Sequence, residues 1–90
     1  MKAMSDVVIY TKDNCPYCRQ AEKFFTQKGV PFTNVDVTHD QPMRERLVEL
    51  SGQFTVPQIF IKGVSVGGYS DLMALHTRGQ LEPMLAAQAP

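Results

Sequence analysis

Val7-Val8-Ile9-Tyr10-Thr11 is an uninterrupted run of β-branched and aromatic residues that stops at the polar Lys12-Asp13-Asn14, and it limits the possible folds more than any other stretch. A run of this kind reads as a fully buried strand, apolar toward both sides, and such strands belong to sheets covered by helices on both faces. The next segment supplies the cover. Tyr17, Ala21, Phe24 and Phe25 recur at helical spacing, giving a helix of about 12 residues with Gly29 as its stop.

Val30-Pro31 leads into Phe32-Thr33-Asn34-Val35-Asp36-Val37, a second strand that the intervening helix makes parallel to the first. Asp40-Gln41-Pro42 then opens a helix with a capping residue and an early proline. Its apolar stripe is Met43, Leu47 and Leu50, ending at Ser51-Gly52, and its charges Arg44, Glu45, Arg46 and Glu49 read as a solvated face. Gln58-Ile59-Phe60-Ile61 and Val64-Ser65-Val66 are joined by Lys62-Gly63, a hairpin signal. After Gly67-Gly68, Ser70-Asp71 starts a third helix with Leu72, Leu75 and His76 on one side and Gly79 at its end. Leu81, Met84 and Leu85 mark a last helix from about Leu81 to Ala87.

The order β-α-β-α-β-β-α-α, with a right-handed crossover followed by an antiparallel hairpin, implies an α/β fold with a four-stranded mixed sheet flanked by helices. Ninety residues hold one such domain, residues 1–90, with residues 1–6 and 88–90 expected as frayed ends. A chain of this size buries roughly 60% of its unfolded surface, so with 43% apolar residues it needs neither structural metal nor disulfide staples. Nine basic and nine acidic residues give no field of one sign to attract nucleic acid or acidic lipid. The first residues lack a signal peptide's apolar region and no run is long enough to span a bilayer, so the expected address is cytoplasmic; the chain is expected to be a monomer.

The chemistry lies in Cys15-Pro16-Tyr17-Cys18. Cys15 falls between strand and helix, and Pro16 sits where a helix tolerates proline best, which makes Cys15 the N-cap. There a thiolate faces the unpaired amides of Tyr17 and Cys18 and the positive end of the helix dipole, with Lys12 nearby. The thiol pKa should therefore fall below ~8.5 into the range of roughly 3.5–7.5 known for such placements. A fall to ~5.5 raises the thiolate fraction at pH 7 about 30-fold, but loses roughly 15- to 30-fold in intrinsic nucleophilicity. The net benefit comes when Cys15 is expelled from a mixed disulfide. Cys18, one turn further in, is at a separation a disulfide accepts and can resolve that intermediate. Zinc would need two more ligands, and the two histidines, His39 and His76, lie in separate elements without metal spacing, so no metal site is expected.

With these residues in place the chain resembles a dithiol glutaredoxin of the thioredoxin-like fold, over nearly its whole length from Val7 to about Leu85. The resemblance rests on Cys15-Pro16-Tyr17-Cys18 after Tyr10-Thr11-Lys12, on Thr55-Val56-Pro57-Gln58-Ile59-Phe60-Ile61, and on Gly67-Gly68-Tyr69-Ser70-Asp71-Leu72, in that order. It implies a cis Val56-Pro57 peptide beside Cys15, with Val56 pairing an extended substrate by strand addition. It also implies a glutathione site formed by Lys12, Tyr17, Gln53, Thr55, Val56, Pro57, Gly68, Tyr69, Ser70 and Asp71. The γ-glutamyl carboxylate would meet the helix start at Ser70 and Asp71. The Asp71 carboxylate would face the ligand's ammonium, and Lys12 and Gln53 its glycyl carboxylate. Two positions depart from the family pattern: Gln53 stands where many relatives carry arginine, and Tyr69 where a smaller residue or a third cysteine is common.

The implied activity is a glutathione-dependent thiol-disulfide oxidoreductase acting on protein-glutathione mixed disulfides and protein disulfides through a Cys15 intermediate. Glutathione would be co-substrate, with no tightly bound cofactor. A redoxin fed by thioredoxin reductase is the nearest alternative, opposed by Lys12, Tyr17 and Ser70-Asp71 and by the absence of tryptophan. A carrier of a glutathione-ligated iron–sulfur cluster is the other, opposed by Pro16 and by the competing Cys18 thiol.

Overall fold

The computed structural model describes residues 7–53 and 55–86. Along it run β1 (Val7–Thr11), α1 (Pro16–Lys28), β2 (Thr33–Asp36), α2 (Gln41–Ser51), β3 (Gln58–Ile61), β4 (Val64–Gly67), α3 (Tyr69–Thr77) and α4 (Leu81–Ala86). This is the expected order. The sheet runs β2-β1-β3-β4, with β1 parallel to β2 and antiparallel to β3, and β4 antiparallel to β3. The fold is thioredoxin-like.

Central placement explains the composition of β1. Val7, Ile9 and Thr11 are fully buried on one face, while Val8 and Tyr10 on the other are half-buried. On the first face Val7 and Ile9 join Ile59 and Ile61, and α1, α3 and α4 close over them with Ala21, Phe25, Leu72 and Leu81. Burying a side chain such as Phe25 contributes roughly 1.5–3 kcal/mol. The second face carries Tyr10 edge-on to Phe60, with ring centres 5.6 Å apart. It also carries Gln58, which is cross-strand from Tyr10 and 2% exposed. Because a buried amide without partners is costly, Gln58 is tied into α2 and the loop after it: Ser51 Oγ donates to its Oε1 at 2.7 Å, and its Nε2 donates to the Gln53 carbonyl at 2.9 Å.

The hairpin forms at the residues read for it. Lys62 and Gly63 have φ of 53° and 81°, both in the left-handed region that a type I′ turn requires. The register slips between Ile59 and Phe60, where a bulge lets β4 twist away.

Other details differ from the sequence reading. The second strand is shorter than Phe32–Val37, although the Val37 amide still donates to the Thr11 carbonyl at 2.8 Å. On α2, Leu47 is buried but Leu50 is 50% exposed, since the helix meets the sheet over a narrower stripe than the spacing suggested. On α1 the buried set is Cys18, Ala21 and Phe25, and Tyr17 points outward. The third helix begins at Tyr69, one residue before Ser70-Asp71, and His76 is exposed against the Phe24 ring. The predicted frayed ends and the Ala87 end of the last helix lie outside the described residues.

Candidate functional site

Cys15 sits where β1, one of the two inner strands, hands over to α1. Asn14 before it has φ of 56°, a left-handed conformation that asparagine tolerates better than most side chains. This bend delivers Cys15 in extended conformation as the N-cap of α1, with Pro16 in the first turn. The approach is held from the side: the Asp13 amide donates to Thr38 Oγ1 at 2.8 Å, and the Thr38 amide donates to Asp36 Oδ1 at 2.8 Å. Hydrogen bonds from Thr38 hold the Asp36 carboxyl below its ordinary pKa. Sequence reasoning passes over this brace, although Asp-x-Thr is the spacing of a turn closed by an aspartate side chain.

Cys15 and Cys18 are joined in a disulfide, with Cα atoms 5.2 Å apart. The Cys18 amide donates to Cys15 Sγ at 3.2 Å, so an orphan donor of the first helical turn is aimed at the sulfur. The same contact would stabilise a thiolate there. The two sulfurs are unequal, for Cys15 is partly exposed whereas Cys18 is 0% exposed. That inequality is what an attacking and a resolving thiol require.

Cys15 Sγ lies 3.8 Å from the Val56 carbonyl oxygen. Val56 precedes Pro57 through a cis peptide bond, as the resemblance implied. From here opens a groove of about 290 Å³, lined by Tyr17, Gln53, Thr55, Val56, Pro57, Gly68, Tyr69, Ser70 and Asp71. Such a volume is at the small end of the roughly 300–1,000 Å³ usual for ligand clefts. Nine of the ten residues expected around glutathione therefore line one groove. Lys12 does not: it borders a separate hollow with Gln41, Arg44, Glu45 and Val48. On Cys15's own side, Asn14, Pro16 and Arg19 line another hollow of about 510 Å³ with it.

At its far wall the groove meets the start of α3. Gly68 is the N-cap, and the Asp71 carboxylate reaches back to accept its amide hydrogen at 3.1 Å. The remaining first-turn amides and the helix dipole make this end suited to an anion. Gly67 permits the arrangement. Its φ is 99°, and a Cβ there would overlap the Asp71 carboxylate, lying 2.8 Å from its carbon. At the near wall, Gln53 is anchored by its backbone, its amide donating to Ser51 Oγ at 3.1 Å and its carbonyl accepting from Gln58. Sequence reasoning missed Ser51 and Gln58 as supports of this wall, because a polar residue opening a strand gives no sign of what its amide will meet. Among the described residues no cluster of three or more His, Cys, Asp or Glu side chains could hold a metal ion.

The family model described as Glutaredoxin matches residues 7–66. Glutaredoxin 3 of Escherichia coli (strain K12) is 45% identical over 82 residues, which cover 91% of this chain and 99% of that protein. Among solved structures, a glutaredoxin from Brucella melitensis superposes with a TM-score of 0.81 at 43% identity, covering 93% of this chain and 91% of the other. A buckwheat glutaredoxin-glutathione complex superposes with a TM-score of 0.85 at 32% identity, covering 90% and 76%. Since the family model matches residues 7–66 and these relatives cover nine tenths of the chain, the chain belongs to the glutaredoxin family and is a glutathione-dependent thiol-disulfide oxidoreductase.

Proposed function

We propose that the groove from Tyr17 to Asp71 holds the glutathione moiety of a mixed disulfide and that Cys15 exchanges with its sulfur. The observation that carries the reading is the 3.8 Å approach of Cys15 Sγ to the Val56 carbonyl, because Val56 is itself a wall of the groove. A peptide-like ligand lying along Val56 puts its sulfur beside Cys15. The solved buckwheat complex supports glutathione as the occupant, being a close structural relative bound to it. In the groove the γ-glutamyl carboxylate meets the amides at the start of α3, the ammonium meets Asp71, and the glycyl end lies toward Gln53. Thr55, Pro57, Gly68 and Tyr69 shape the walls. Lys12, which borders a different hollow, acts on the glycyl carboxylate at longer range.

The reduced enzyme attacks with the Cys15 thiolate at the glutathione sulfur of a protein-glutathione disulfide. The Cys15–sulfur bond forms as the old disulfide breaks, and the protein leaves as a thiolate that takes up a proton. A second glutathione thiolate attacks the glutathione sulfur held on Cys15, forming glutathione disulfide and expelling Cys15 as thiolate. With a protein disulfide, Cys15 first forms a mixed disulfide with the protein. Cys18 then loses its proton and attacks Cys15, giving the Cys15–Cys18 disulfide and the reduced protein. Two glutathione molecules restore the dithiol. The cycle uses glutathione as co-substrate and calls for no bound cofactor.

Disulfide-containing and glutathionylated proteins are the proposed partners of a monomeric enzyme, and the proposed compartment is the cytoplasm, whose reducing poise keeps both thiols free. A glutathione-coupled assay on wild type, Cys15→Ser and Cys18→Ser tests the assignment. Cys15→Ser should be inactive, and Cys18→Ser should deglutathionylate yet fail on substrates that need both thiols. Loss of both activities in Cys18→Ser, or no turnover of wild type with glutathione, would overturn it.

A further inference from the structure

Tyr17 is 59% exposed at the start of α1, an unusual place for a large ring, and its ring contact among the described residues is with Tyr69. The two rings stack with centres 5.8 Å apart and planes inclined by 26°. Tyr69 is the first residue of α3 and is half-buried against the core, so one ring is fixed and the other leans on it. Both line the groove. Resting on the assignment of the groove to glutathione, we infer that Tyr69 is a positioning residue that fixes the Tyr17 ring as a wall of the groove and so sets the enzyme's preference for glutathionylated over other disulfides.

The stack works by ordering Tyr17 before the ligand arrives. Without a partner, an exposed tyrosine samples several rotamers, and immobilising it on binding costs a ligand about 2- to 12-fold in affinity. An offset ring pair within the 4.5–7 Å range supplies a stabilisation of the same size. The Tyr69 backbone is untouched by side-chain replacement, so the anion-binding amides at the start of α3 remain. The contacts of the Cys15 sulfur with the Cys18 amide and the Val56 carbonyl involve neither ring and likewise remain. A small disulfide without glutathione's arms does not use the wall when the pre-reduced enzyme attacks it in a single turnover with no glutathione present. Removing the Tyr69 ring therefore acts on KM for the glutathionylated substrate and leaves kcat and the glutathione-free single turnover of the small disulfide alone.

Tyr69→Leu, Tyr69→Phe, Tyr17→Leu and the double leucine variant are compared with wild type using a glutathionylated peptide in steady state and hydroxyethyl disulfide in a single turnover of pre-reduced enzyme without glutathione, with thermal melting as a check on folding. Tyr69→Leu should raise KM for the glutathionylated peptide about 2- to 12-fold with kcat held. Tyr69→Phe, which keeps the flat ring, should restore it. In the Tyr17→Leu background the further change at Tyr69 should cost clearly less than it does in wild type, since the part of its effect that passes through Tyr17 is already lost. Equal losses on both substrates, a fall in kcat, an unchanged KM in a folded Tyr69→Leu, or additive effects in the double variant would each reject the inference. Failure of wild type itself to prefer the glutathionylated peptide would instead count against glutathione as occupant of the groove.

Discussion

Replacing Gly67 by alanine should damage the start of α3 through two separable effects, and their separation tests how Asp71 is held. The backbone contributes the first: at φ of 99° a side chain is strained, a cost of order 1–3 kcal/mol. The second is steric. The new methyl group would occupy the space of the Asp71 carboxylate, so Asp71 must swing away and surrender the Gly68 amide. Losing a capping acceptor of this kind costs about 1 kcal/mol. Gly67→Ala should thus lower the unfolding free energy by roughly 2–4 kcal/mol. Urea denaturation of wild type, Gly67→Ala, Asp71→Ala and the double variant reads the cycle directly. In the Asp71→Ala background there is no carboxylate to displace and no cap to lose, so Gly67→Ala should cost only its backbone share, about 1 kcal/mol less than in wild type. A strictly additive cycle, or a Gly67→Ala variant as stable as wild type, would refute the argument that Gly67 exists to let Asp71 fold back.

Gln53→Arg should lower KM for glutathionylated substrate by roughly 1.5- to 5-fold, the worth of one exposed ion pair, and the gain should fade in high salt; steady-state kinetics at two ionic strengths decides it. Asp36 has its pKa lowered mainly by the Thr38 side chain, so its hydrogen bonds favour the folded state above the unfolded pKa of about 4 and are lost as pH falls through the lower folded value. Thermal melting should show Asp36→Asn less stable than wild type at neutral pH, with the gap closing below about pH 4; a gap that persists or widens in acid would show that the carboxylate's charge is not what matters. Cys18→Ser, with its retained deglutathionylation and lost dithiol activity, completes the set.

Much of the scaffold was legible because it is written in local terms. A β-branched run names its own strand, Lys62-Gly63 names a hairpin, and Asp40 and Cys15 name the starts of α2 and α1 where each accepts an amide hydrogen bond. The misreadings share a cause. Tyr17 and Leu50 fit an apolar period, and periodicity cannot say how wide a stripe the neighbouring sheet will cover. Ser70-Asp71 looked like a cap in its own right, whereas Asp71 acts three residues backwards on Gly68. Within the groove, the walls came from motif resemblance, and what braces them did not. The contacts of Gln58 with Ser51 and Gln53, and of Thr38 with Asp13, exist only once the sheet has closed, and no window of neighbouring residues contains them.

The complete burial of Cys18 has a bearing on how such a molecule survives among oxidants. Peroxide and foreign disulfides can approach only the Cys15 sulfur, where they leave a sulfenic acid or a mixed disulfide. The hidden thiol one helical turn away can displace that adduct within the molecule before a second oxidant collides. A protein with two exposed thiols would face two independent routes to irreversible damage. Here the inner sulfur acts as a repair reagent stored out of reach of what it repairs.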